Sequence, residues 1–91
     1  MREIFQHSRF KTDLKRVSRS GRYKLENLLG IISKLANDEP LAERHRDHAL
    51  TGDWEDFRDC HIKPDLVLIY QKTGDRILQL VRIGSHSELG L

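Results

Sequence analysis

The feature that most constrains this chain is the segment Leu66–Lys72, LVLIYQK, followed at once by Thr73-Gly74-Asp75 and then by Arg76–Ile83, RILQLVRI. An almost wholly apolar run of this length suits a central strand buried on both faces. Thr73-Gly74-Asp75 supplies the turn of a hairpin, and Arg76–Ile83 is its second arm. Upstream, Glu55–Ile62 reads as a further strand, closed by a turn through Lys63-Pro64-Asp65. Pro64 cannot donate a ladder hydrogen bond, so it belongs at a strand end. The three strands therefore predict an antiparallel meander. Gly84-Ser85 releases the chain into a short tail.

The N-terminal half has a different period. Glu3–His7 predicts a short first strand, and Ser8 is placed to cap a helix with its hydroxyl. Phe10, Leu14 and Val17 recur at helical spacing until Ser20-Gly21 breaks the pattern. Tyr23, Leu25, Leu28, Leu29, Ile32, Leu35 and Ala36 form a second amphipathic series, which Pro40 stops. Residues 41–53 are polar and read as a long loop with one helical turn at Leu41–Arg46; loops of this length in small domains are usually functional. The predicted order is strand, two helices, three strands. This is an α+β fold in which the two N-terminal helices cover one face of an antiparallel sheet and leave the other open. The 91 residues make a single domain, 1–91, with no room for a second core.

Charge is unevenly spread along the chain. Residues 9–24 carry seven basic side chains against the single Asp13, whereas residues 49–91 carry five basic and seven acidic ones. A basic stripe of this kind reads either as the footprint of polyanion binding or as a solvated helix face. The lone Cys60 permits no internal disulfide and no cysteine-based zinc site, and reads as a small buried hydrophobe. No apolar stretch approaches a membrane span, and the start, MREIFQHSRF, has no signal-peptide core. The expected location is the cytoplasm.

Three of the five histidines fall where chemistry is convenient. His48 lies in the long loop, His61 ends the strand before the Lys63-Pro64 turn, and His86 follows the last strand. In a meander the first and third strands run parallel, so His61, Asp65 and His86 are expected along one end of the sheet, within reach of His48. Imidazoles give and take protons near neutral pH, and a neighbouring carboxylate tunes them. Two imidazoles facing a phosphate suffice to cleave RNA without metal. One removes the ribose 2′-OH proton and the other protonates the leaving 5′ oxygen, with Arg58 or Arg82 holding the phosphate. DNA lacks the 2′-OH, so the scheme is restricted to RNA. On the residues alone, structural histidines and a zinc site of three histidines and an aspartate stay open as alternatives. His7 and His45 read as surface residues; Trp54, Phe57 and Tyr70 read as core.

The runs DHALTGDWEDFRDCHIKPDLVLIYQ, residues 47–71, and LVRIGSHSEL, residues 80–89, closely resemble YafQ-type toxins of the RelE/ParE superfamily. The order of elements matches that family's fold along the whole chain. The resemblance implies a toxin of a type II toxin–antitoxin module: a ribosome-dependent mRNA interferase that cuts in the A site without metal or cofactor. A cognate antitoxin would neutralise it, in a complex expected to be a heterotetramer. By motif position, His86 falls on the catalytic histidine and becomes general acid. His48 or Asp65 assists removal of the 2′-OH proton, His61 orients the site, and Arg82 contacts the scissile phosphate. Lys11, Lys15, Arg16 and Arg19 would face 16S rRNA. Relatives commonly carry an aromatic where this chain has Gly90. The rival functions are a ParE-like, non-enzymatic inhibitor of DNA gyrase and a zinc-binding regulatory module.

Overall fold

The computed structural model describes residues 1–91, and its elements follow the predicted order with three additions. Strand β1 spans Glu3–Gln6, helix α1 Ser8–Ser20, helix α2 Leu25–Ala36, β2 His48–Ala49, β3 Arg58–Lys63, β4 Leu66–Thr73, β5 Ile77–Gly84 and α3 His86–Leu89. Single 3-10 turns at Glu43–His45 and Gly52–Trp54 flank β2. The additions are β2, the second 3-10 turn and α3. The five strands form one sheet in the order β1-β5-β4-β3-β2. Strands β3, β4 and β5 are the expected meander, while β1 lies parallel to β5 on one flank and β2 antiparallel to β3 on the other.

Strand β4 is buried on both faces, as its composition required. Leu66, Leu68 and Tyr70 point into the main core with Phe10 of α1, with Leu28, Ile31, Ile32 and Leu35 of α2, and with Cys60 and Ile62 of β3. Val67 and Ile69, the alternate residues, point the other way into a second cluster with Leu89. Side chains alternate along a strand, so one apolar run feeds both layers. In β5 the register shifts opposite Ile69 and Tyr70, which lets Leu80 and Ile83 face the same core although three positions apart.

The second cluster corrects the expectation of an open face. Leu50, Trp54, Phe57 and Val81 pack around Val67, Ile69 and Leu89, so the long loop and α3 cover part of the sheet opposite the helices. The strand expected from Glu55 starts only at Arg58, because Asp56 takes a left-handed backbone (φ 77°) and turns the chain. Ser8 is not the N-cap; His7 takes that position without a side-chain capping bond, and Ser8 is the first helical residue. Helix α2 ends at Ala36, before Pro40, where Asn37 caps it and Asp38 turns left-handed (φ 56°). No helix is long and apolar enough to cross a membrane.

Candidate active site

The strand register decides which side chains meet. Asp59 pairs with Ile69 and with His48, and His61 pairs with Val67. Cross-strand partners share a face, and Val67 and Ile69 face away from the helices. His48, Asp59 and His61 therefore lie on the sheet face opposite α1 and α2. Val67 also pairs with Gly84, after which α3 begins at His86. The His86 ring stands over that face with its centroid 5.0 Å from the His61 ring, tilted by 57°. Three imidazoles thus surround one carboxylate, that of Asp59.

Asp59 is 2% exposed, and its Oδ1 has no hydrogen-bond partner. Burial pushes its carboxyl above the usual 3.8, while the charges of His48, His61 and His86 pull the other way. His48 Nδ1 lies 3.1 Å from Asp59 Oδ1 but donates its hydrogen to the Arg46 carbonyl, 2.6 Å away. That bond fixes the neutral tautomer with hydrogen on Nδ1 and leaves the lone pair on Nε2, so His48 is set up as a proton acceptor. His61 is held below the ordinary 6.5, first by burial; His86, Arg46 and His48 reinforce this and Asp59 opposes it. Its carbonyl accepts from His45 Nδ1 at 2.6 Å, which docks the Glu43–His45 turn onto β3.

The structure brings His48, His61 and His86 together and sends the other candidates elsewhere. Asp65 lies in the turn after β3, where its carboxylate accepts from Arg22 Nη2 at 2.7 Å and makes no bond to a histidine. Arg58 sits across from Tyr70, on the helix side of the sheet, and its Nε donates to Asp47 at 3.3 Å. Arg82 reaches around the edge of β5 to Asp13, with Nε at 2.6 Å from Oδ2 and Nη2 at 3.2 Å from Oδ1. Neither guanidinium contacts the histidines, because each is drawn to a nearer carboxylate. Of the four α1 residues expected to face RNA, Lys11, Lys15 and Arg19 are exposed and unpaired, whereas Arg16, though still partly exposed, pairs with Asp13 and Glu88. His7 and His45 are not free surface residues either: both are half-buried, and His7 Nε2 is bonded to Gln79 Oε1 at 2.7 Å. Burial pushes the Cys60 thiol far up, which makes it inert.

Two site residues escaped the sequence. Asp59 could have been found by strand alternation, since it precedes His61 by two positions and must share its face. Arg46 had no signal, because only the fold of the loop brings its charge near His61. No group of three or more His, Cys, Asp or Glu side chains is arranged to hold a metal ion.

A meander with two N-terminal helices on one face and a histidine patch on the other defines a RelE-like toxin, and the solved structures most similar to it agree. The metal-bound toxin from Helicobacter pylori superposes with a TM-score of 0.90 at 46% identity, covering 98% of this chain and 99% of that one. The Escherichia coli DinJ–YafQ complex gives 0.84 at 32% identity, covering 98% of both chains. The E. coli K12 mRNA interferase toxin YafQ is 36% identical over 90 residues, 97% of this chain and 95% of that protein. A putative toxin YafQ of Haemophilus influenzae is 48% identical over 60 residues, which span 63% of this chain and 59% of that protein. The family model described as the bacterial toxin of type II toxin–antitoxin system, YafQ, matches residues 2–90, and the chain belongs to that family.

Proposed function

We propose that this protein is the toxin of a type II toxin–antitoxin pair and acts as an endoribonuclease on mRNA in the ribosomal A site. The observation that carries the proposal is the set of three imidazoles around the buried Asp59, on the sheet face opposite α1 and α2. His48, with Nε2 free to accept, takes the ribose 2′-OH proton. The 2′ oxygen attacks the adjacent phosphorus, and His86 protonates the leaving 5′ oxygen. The products are a 2′,3′-cyclic phosphate and a 5′-hydroxyl. Asp59 stabilises the imidazolium formed during transfer, and His61 orients His86. Arg46 takes the phosphate-holding role expected of Arg58 and Arg82, whose guanidiniums are committed to Asp47 and Asp13. Asp65, paired with Arg22, shapes the end of the site rather than moving a proton.

None of these steps uses a metal or cofactor. Exposed Lys11, Lys15 and Arg19 supply the cationic face for 16S rRNA, in keeping with phosphate-dominated nucleic-acid affinity. The relative solved with DinJ supports an antitoxin partner for this chain; a heterotetrameric complex and a cytoplasmic location complete the proposal. The gyrase-inhibitor alternative offers no use for a histidine cluster. Mapping mRNA 5′ ends after induction tests the proposal. New 5′-hydroxyl ends within reading frames, absent with His86→Ala, are expected. Intact transcripts together with a DNA-damage response would favour gyrase inhibition instead.

A further inference from the structure

We infer that Asp13 and Arg16 on α1 are positioning residues for His86, an inference that rests on the ribonuclease reading above. The His86 side chain makes no hydrogen bond, so its place over the sheet is set by the backbone that carries it. That backbone leaves the sheet at an unsupported point. Strand β1 pairs with β5 only as far as Gln6 and Leu80, so beyond Leu80 the outer edge of β5 has no neighbouring strand. Its free backbone groups need other partners.

Helix α1 supplies them. Asp13 Oδ2 accepts from the Ile83 N–H at 3.2 Å, and Arg16 Nη2 donates to the Ile83 carbonyl at 3.1 Å. Two side chains one turn apart thus bond the edge as a strand would. Asp13 also accepts from Arg82 and from Arg16 Nη1, the latter at 3.0 Å. Arg16 Nε then pairs with Glu88 Oε2 at 3.0 Å. Glu88 Oε1 accepts from the Ser85 N–H at 2.8 Å, and Ser85 Oγ accepts from the Glu88 N–H at 3.2 Å, closing a capping box around the first turn of α3. His86 lies between the two members of that box. One chain of bonds therefore runs from α1 through β5 to the residue proposed as general acid.

Gly84 belongs to the same device. Its φ is not positive, so backbone freedom does not explain it. A Cβ there would stand 2.9 Å from Arg16 Nη2 and 3.1 Å from Glu88 Oε1. The glycine leaves the space in which Arg16 and Glu88 meet. Arg16 is thereby separated from the other basic residues of α1: its guanidinium, though partly exposed, is committed to Asp13, the Ile83 carbonyl and Glu88.

The test uses the full-length toxin with Arg16→Met and Glu88→Gln, the latter keeping a capping acceptor while losing the ion pair. Three measurements are made on each: thermal melting, long-range 1H–15N NMR of the histidine rings, and single-turnover cleavage on programmed ribosomes. The His86 ring signals are expected to shift in both variants while those of His48 stay. The cleavage rate should fall on the order of 10- to 100-fold, the penalty of about 1 Å of misplacement, with KM unchanged. Arg16→Met in a His86→Ala background should cost nothing further. Arg16→Lys should rescue little, because an ammonium cannot span three acceptors. Unmoved His86 signals in folded variants would overturn the inference, as would a rise in KM with the rate unchanged, which marks an RNA contact. If the wild type cuts no mRNA, the ribonuclease reading fails, while the ring signals still report whether Arg16 sets His86.

Discussion

Asp59 sits where a carboxylate is costly, and Asp59→Asn separates its energetic cost from its use. With 2% exposure and no hydrogen bond to Oδ1, the ionised group loses solvent without regaining a partner. A buried polar atom in that condition costs about 1–3 kcal/mol, and more when charged. Asparagine has nearly the same shape and no charge, although its amide brings donors of its own. A net gain of about 1 kcal/mol is expected, which for a domain of this size raises Tm by roughly 4–8 °C. The pH dependence has a defined sign. The folded carboxyl titrates above its usual 3.8, so the wild type loses stability as pH rises from there through the folded value. The advantage of Asp59→Asn should thus be absent near pH 3.5 and grow towards neutrality. Activity should move the opposite way. Without the anion, the imidazolium formed during proton transfer loses its counter-charge, so the rate falls. Thermal melts across pH and single-turnover cleavage measure both effects. An Asp59→Asn protein that is less stable at pH 7 and cuts at the wild-type rate would refute the reasoning.

Other perturbations follow from the same geometry. Arg82→Met leaves the buried Asp13 carboxylate with fewer donors and should cost about 2–3 kcal/mol in urea unfolding at pH 7. Burial pushes Asp13 up, but its bonds from Arg82, Ile83 and Arg16 hold it below its ordinary value. The stability it lends is complete above that value and lost as pH falls through the folded one, so in Arg82→Met the loss should be smaller and should end at higher pH. Gly90 closes α3 in the left-handed conformation, φ 72°, with its N–H shared between the His86 and Ser87 carbonyls. Gly90→Ala should therefore cost about 1 kcal/mol, read by thermal melting.

Much of this architecture was legible because it rests on periodicity. The apolar run of β4, the Gly74 turn and the 3-4 spacing of α2 each encode a local geometry that tertiary packing reinforces. Short elements were not legible for the same reason: β2 is two residues long and carries no alternation to read. Helix α3 is different, since Ser85-x-x-Glu88 is a capping signature and was there to be read. In the site, strand order was enough to bring His61 and His86 together. It could not choose among carboxylates, because Asp65 beside the turn and Asp59 within the strand are both near His61 in sequence. Strand parity puts Asp59 on the histidine face, and Arg22 draws Asp65 away. The arginines misled for a similar reason. A guanidinium goes to the nearest buried carboxylate, and Asp13 lies 69 positions from Arg82, a pairing that no local pattern records.

The central claim is that protein imidazoles drive attack by a ribose 2′-OH. Its most direct test is single-turnover cleavage, on programmed ribosomes, of an mRNA carrying one 2′-deoxynucleotide immediately 5′ to the scissile phosphate. The account predicts no cut at that bond, and no cut of the all-ribose message by His86→Ala. Cleavage of the deoxy-substituted message at the wild-type rate would contradict it.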